Sequence, residues 1–162
     1  MKDKLYKMMN WPEIEAIVYG EECHPEKILG RHNVSAYTLF QAFFPDAKEV
    51  ILTLQAQEEQ EAREYIMELA DEAGFYAVAL LGKVKDDYQY VVTDINGKKN
   101  VFSDPYNNMV KLSKSELNAF RTGKSTDAYK FMGARKAVVN NKSGVAFHVW
   151  APNAVRVSIV GD

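Results

Sequence analysis

Residues 37–44 (YTLFQAFF) form a strand-length run of aromatic and β-branched side chains. Successive strand residues point to opposite faces. Leu39, Gln41 and Phe43 therefore share one face, and Thr38, Phe40 and Ala42 the other. Pro45-Asp46-Ala47 follows as a turn with proline at its front. Residues 49–54 (EVILTL) read as a second strand, and the two predict an antiparallel hairpin.

The pattern continues. Residues 75–81 (FYAVALL) and 88–93 (YQYVVT) have strand length and composition, and Asn96-Gly97 is the strongest short-range turn signal in the chain. Residues 99–102 return as a short strand, and residues 65–69 are a further strand candidate. The acidic stretch 58–64 reads as a loop or a helical turn. Helix signals are brief. Residues 4–9 end at Asn10, Trp11-Pro12 opens a segment closed by Gly20, and residues 24–30 (HPEKILG) read as a single turn. Gly30-Arg31-His32-Asn33 then reads as a helix stop and turn. Ser113 and Glu116 form a capping box for a helix ending at Gly123. At the C-terminus, residues 145–150 (VAFHVW) and 155–160 (VRVSIV) alternate and predict a hairpin with Pro152-Asn153-Ala154 at its turn. The expected fold is mainly β: an immunoglobulin-like antiparallel β-sandwich with short flanking helices, followed by an incomplete second sandwich. Its expected divisions are a helical segment at 1–32, the sandwich at 33–123, a linker at 124–132 and the hairpin region at 133–162.

The charge balance narrows the partners. Lys and Arg number 20 and Asp and Glu 22, a net charge of -2. No basic excess draws the chain to nucleic acid or to an anionic membrane. No run approaches the length of a membrane span, and the N-terminus lacks an uninterrupted apolar h-region. Cys23 is the single cysteine, which fits a reducing compartment. The expectation is a soluble cytoplasmic protein.

Chemistry-bearing motifs are sparse. Cys23, His24 and His32 lack the paired ligand spacing of a zinc site. A Cys23 nucleophile would need His32 or His148 as base, yet the surrounding sequence supplies no oxyanion loop and no orienting group. Phosphate-binding glycine patterns and the nucleophile-elbow pattern do not occur. Glu58, Glu59, Glu61 and Glu64 lack calcium-loop spacing and read as a solvated face. No catalytic residue, metal ligand or cofactor is expected. Aromatic side chains are the remaining candidates, because sugars stack apolar C–H faces on exposed rings. The chain has Trp11, Trp150 and nine tyrosines. Tyr88 and Tyr90 share one strand face, although aromatics on an alternating strand more often pack inward.

Residues 129–134 (YKFMGA), 144–154 (GVAFHVWAPNA) and 155–162 (VRVSIVGD) resemble the opening of the family-48 carbohydrate-binding module that precedes the barrel of bacterial glycogen branching enzymes. Met132 stands where the family has Leu, and Arg135 where it has His. Upstream, Ile28-Leu29-Gly30-Arg31-His32, residues 41–47 (QAFFPDA) with Val50, residues 88–92 (YQYVV) and Asp104-Pro105-Tyr106 resemble motifs of the extra N-terminal β-sandwich of those enzymes. Gln41 departs from the arginine usual there.

The resemblance implies a non-catalytic N-terminal fragment of a 1,4-α-glucan branching enzyme. The full enzyme transfers α-1,4 chains to α-1,6 branch points in a barrel that lies outside this chain. The implied partners are α-glucan such as glycogen and the rest of the enzyme in cis. Residues 133–162 would be the truncated start of the binding module, with its apolar hairpin packed on the first sandwich or paired with a second copy. Trp150, Tyr88 and Trp11 are the expected glucan contacts. A stand-alone glucan-binding or scaffolding module, and a structural spacer or dimerisation domain, are the alternatives.

Overall fold

The computed structural model describes residues 2–55, 61–108, 112–139, 142–154 and 157–160. The chain divides into two compact units, Met1–Asn107 and Asn108–Asp162.

The first unit opens with two short helices, α1 (Lys2–Met8) and α2 (Trp11–Val18), and a single 3-10 turn at Pro25–Lys27. Eight strands follow: β1 (Gly30–Val34), β2 (Tyr37–Phe43), β3 (Ala47–Leu54), β4 (Arg63–Ile66), β5 (Glu68–Asp71), β6 (Phe75–Leu81), β7 (Tyr88–Asp94) and β8 (Lys99–Ser103). They form two four-stranded sheets, ordered β1-β2-β6-β5 and β4-β3-β7-β8, with every pairing antiparallel. The architecture is the expected antiparallel sandwich.

The two faces of β2 carry two different cores. Phe40 and Ala42 pack with Val50, Leu52 and Leu54 of β3 and Tyr88, Tyr90 and Val92 of β7, in the layer between the sheets. Leu39 of β2, with Phe75 and Ala77 of β6, packs instead against Leu5, Met9, Ile14 and Ile17 of the helices. This sheet is covered on both sides, which is why β2 reads as a continuous apolar run while β7 alternates. The helices exist to cover that outer face. Alone, helices of this length are unstable in water, so their apolar sides hold them in place.

Four expectations are corrected. Residues 37–44 and 49–54 do not pair as a hairpin. The Pro45 turn, closed by Ala47 N–H donating to Phe44 O at 3.1 Å, carries the chain from one sheet to the other. A local turn signal does not distinguish a hairpin from such a corner, and the apolar faces of β2 and β3 gain more by facing each other across the core. Gly30-Arg31-His32-Asn33 is not a turn but most of β1, whose polar side chains hide a strand made by backbone pairing with β2. The stretch 65–69 is split between β4 and β5, which lie in different sheets. Residues 56–60, with the first three residues of the acidic stretch, lie outside the described residues, and its last two, Arg63 and Glu64, open β4 rather than a loop or helical turn.

In the second unit, α3 (Lys114–Arg121) starts at the expected capping box. Glu116 N–H donates to Ser113 Oγ at 3.2 Å, and Ser113 N–H donates to Glu116 Oε2 at 2.8 Å. Strands β9 (Gly133–Val139) and β10 (Lys142–His148) pair antiparallel from Val139↔Lys142 to Gly133↔His148. The expected hairpin of 145–150 with 155–160 is corrected accordingly. The partner of β10 is the preceding segment, and residues 157–160 form no strand. Residues 155–156 lie outside the described residues. Segment 133–139 (GARKAVV) carries two adjacent cations and shows little alternation, so its strand character comes from pairing with β10.

Candidate functional site

Antiparallel pairing draws four separated motifs to one place in the first unit. Gly30 pairs with Gln41 across β1 and β2. Tyr88 and Tyr90, two residues apart on β7, both point inward. The chain leaves β8 at Ser103 and presents Asp104, Pro105 and Tyr106 beside them.

Asp104 is the hub. It is buried, and Oδ2 accepts the hydroxyls of Tyr88 and, at 3.5 Å, Tyr90. Its Oδ1 accepts the Tyr106 N–H at 2.8 Å. A carboxylate removed from water needs such donors, since an unpaired buried charge is strongly unfavourable. Burial pushes the Tyr88 and Tyr90 phenols well above their ordinary range, and the Asp104 charge pushes them further. Tyr106 is raised in the same way, by burial first and then by Asp104 and Glu26. These phenols remain protonated donors at neutral pH. Gly30, at φ +91°, lies against the hub: a Cβ there would meet Asp104 Oδ2 at 3.0 Å and Tyr106 Cβ at 3.2 Å. Arg31 closes the cluster. Its guanidinium donates to Asp86 O at 2.9 Å and to Asn107 Oδ1 at 3.2 Å, and sits 5.3 Å from the Tyr88 ring centre.

A cavity of about 460 Å³ opens beside the hub. Phe43, Phe44, Phe102 and Tyr106 form its aromatic walls, and Gln41 and Asp104 are polar members of its lining. Gln41 is only 4% exposed. Its Nε2 donates to Ile28 O at 2.7 Å, while its Oε1 accepts no hydrogen bond.

The three sugar-contact candidates of the sequence fall in different settings. Tyr88 is 3% exposed, so its ring is part of the sandwich core and offers no open face. Trp11 is 36% exposed, stacks on Tyr6 at 5.2 Å and donates from Nε1 to Tyr6 O at 3.1 Å, which joins α2 to α1. Trp150, in the second unit, is 57% exposed and meets Phe120 edge-on at 5.4 Å. Cys23 is exposed. His32 Nε2 lies 3.0 Å from Leu29 O, and His24 pairs with Glu26 at 3.4 Å. Among the described residues no group of three or more His, Cys, Asp or Glu side chains is placed to hold a metal ion, and no helix is long and apolar enough to cross a membrane.

Residues 10–106 match the family model described as the alpha-1,4-glucan branching enzyme GlgB, N-terminal domain. The chain belongs to this family. The match contains every member of the Asp104 cluster except Asn107. Among curated relatives, the 1,4-alpha-glucan branching enzyme GlgB of Synechocystis sp. (strain ATCC 27184 / PCC 6803 / Kazusa) is 35% identical over 141 residues, covering 86% of this chain and 17% of the relative. That of Methylococcus capsulatus (strain ATCC 33009 / NCIMB 11132 / Bath) is 30% identical over 152 residues, covering 93% of this chain and 20% of the relative. The chain thus spans about a fifth of the length of these relatives. Among solved structures, the pullulanase from Anoxybacillus sp. LM18-11 complexed with maltotriose aligns with 52% of this chain and 12% of its own, at 25% identity and a TM-score of 0.45.

Proposed function

We propose that this chain is the non-catalytic N-terminal region of a 1,4-α-glucan branching enzyme, and that it helps to position glucan chains and to set the length transferred. The family match over residues 10–106 carries this reading, together with relatives about five times longer that are named as branching enzymes. The Asp104 cluster fits this reading as a structural hub, its carboxylate occupied by the Tyr88 and Tyr90 hydroxyls and the Tyr106 N–H, and its phenols protonated. In this reading the protein is cytoplasmic, its partners are α-glucan and the rest of the enzyme in cis, and chain transfer belongs to the part of the enzyme outside this chain. Trp150 is then the most open of the three candidate sugar contacts.

Native gels cast with and without glycogen test the glucan-binding element. Retardation by glycogen, reduced by Trp150→Ala in a folded variant, supports it. Equal mobility in both gels overturns it and leaves a structural spacer. Comparing branch-length distributions made by the longer enzyme with and without residues 1–107 tests the positioning element, and identical distributions overturn that.

A second reading is favoured by one observation. Val145, Phe147, Val149 and Trp150 are exposed apolar side chains on or just after β10. Two copies pairing through this hairpin would cover them. Light scattering of the eluted chain over a range of concentrations decides it: a monomer throughout rules out the dimer.

A further inference from the structure

We propose that the outer face of the sheet β4-β3-β7-β8 docks one amphipathic helix from the part of the enzyme outside this chain. That source for the helix rests on the reading of the chain as an N-terminal region. A sheet with one face in water alternates apolar residues inward and polar residues outward. This sheet breaks the rule along a single register. Ile51 pairs with both Ile66 and Val91, and Val91 pairs with Val101. Val50 and Leu52 of β3, and Tyr90 and Val92 of β7, are buried in the core, so Ile51 and Val91 between them point away from it. Directly opposed residues share a face. The four side chains therefore form one aliphatic row across all four strands. Its ends are open: Ile66 is 70% exposed and Val101 62%. Both helices of the first unit pack on the other sheet.

Width, spacing and charge select the occupant. The row is one residue wide, with Thr53 and Gln89 along one side and Glu49 and Thr93 along the other. A narrow apolar stripe fits it, and a broad apolar sheet would bury the polar rows as well. The repeat along the row is the strand spacing, about 4.8 Å. Residues on one side of a helix recur at each turn, about every 5.4 Å. Residues on one face of a strand recur about every 6.7 Å, a poorer match. A helix thus seats apolar residues at i, i+3 or i+4, and i+7 along the row. Three strand spacings span about 14 Å, or roughly ten residues of helix. Charge sets the direction. Glu64 flanks the row on β4 and Glu49 on β3, whereas Lys99 flanks it on β8. A helix carries partial positive charge at its N-terminus and negative at its C-terminus. Its N-terminal end therefore lies toward the two glutamates and its C-terminal end toward Lys99. The row itself holds no aromatic ring and no hydrogen-bonding side chain, so it gives an α-glucan nothing to stack on or bond to.

Cysteine labelling tests the surface. Cys23 is exposed, so it is first removed as Cys23→Ser, and Val101→Cys is then made both in this chain and in the longer enzyme. Maleimide labelling at position 101 is read from peptide masses. It should be about tenfold slower in the longer enzyme, the protection given by a covered state favoured by that factor. Photo-crosslinkers on Glu64→Cys and on Lys99→Cys, two rim positions, identify the occupant. Both should reach a single helical segment of the same polypeptide, Glu64→Cys near its N-terminal end and Lys99→Cys roughly ten residues later. Equal labelling rates at position 101 overturn the docking surface. The N-terminal-region reading then stands or falls separately, on the branch-length comparison. Slow labelling with crosslinks between two copies, or to segments that form no single helix, overturns the helix. Crosslinks in the reverse order overturn its direction.

Discussion

A Cβ placed on Gly74 would lie 2.5 Å from the carbonyl oxygen of Phe44. The same glycine accepts the Phe44 N–H on its own carbonyl at 2.9 Å and has φ +105°. The corner between β2 and β3 is thus built against a backbone that has no room for a side chain. Gly74→Ala must move that corner and also strain its own backbone. The expected loss is about 3 kcal/mol or more. Urea unfolding followed by tyrosine fluorescence measures it. A loss below about 1 kcal/mol would show that the corner yields easily.

Thr38 makes a second testable contact. It is fully buried, donates from Oγ1 to Gly82 O at 2.7 Å, and accepts the Val84 N–H at 2.9 Å. This hydroxyl secures the chain where it leaves β6 and crosses toward the other sheet. Thr38→Val keeps the shape and strands both backbone groups. The expected cost is about 1–3 kcal/mol, with faster hydrogen exchange at Val84. Unchanged exchange there would remove the hydroxyl from this role.

How much of this was legible in the chain follows from where each signal resides. The two faces of β2, the strands β6, β7 and β8, and the Ser113 capping box are local patterns, and each is read from neighbouring residues. Strand β1 was hidden because Arg31, His32 and Asn33 are polar and the strand exists through its backbone pairing with β2. Strand β9 was hidden for the same reason, with β10 as partner. The route from β2 into the opposite sheet depends on burial across the core, which a turn motif does not encode. The Asp104 cluster shows the same division. Its motifs were visible singly, but Gly30, Gln41, Tyr88 and Asp104 meet only through pairings distant in sequence. Tyr88 could be placed on a strand face, though whether that face looked inward or outward was a tertiary property.

Ser35 is the one non-glycine among the described residues with a positive φ, at 54°, in the two-residue link between Val34 and Tyr37. Left-handed backbone is unfavourable for a residue with a Cβ by roughly 1–2 kcal/mol. Ser35→Gly removes that strain but enlarges the freedom of the unfolded chain. The net expectation is a gain of about 0.5 kcal/mol. A higher thermal midpoint with unchanged amide spectra outside the turn would bear this out. A lower midpoint would mean that the serine side chain stabilises the turn.

The phenols around Asp104 set an alkaline limit on stability. Burial and the Asp104 charge raise both Tyr88 and Tyr90 above the ordinary value of 10.0. In the unfolded chain these phenols lose their protons near that ordinary value, whereas in the folded protein they keep them to higher pH. Their contribution is therefore fully present below pH about 10 and is lost as pH rises from there toward the folded values. Each tyrosine should lower unfolding free energy by about 1.4 kcal/mol per pH unit in that window, and the pair by about 2.7. Guanidinium unfolding at intervals from pH 8 to 11 measures the slope. Tyr90→Phe should reduce it by about 1.4 kcal/mol per pH unit. A flat profile through this window would mean that solvent reaches these hydroxyls in the folded protein and that the Asp104 cluster is not a sealed hub.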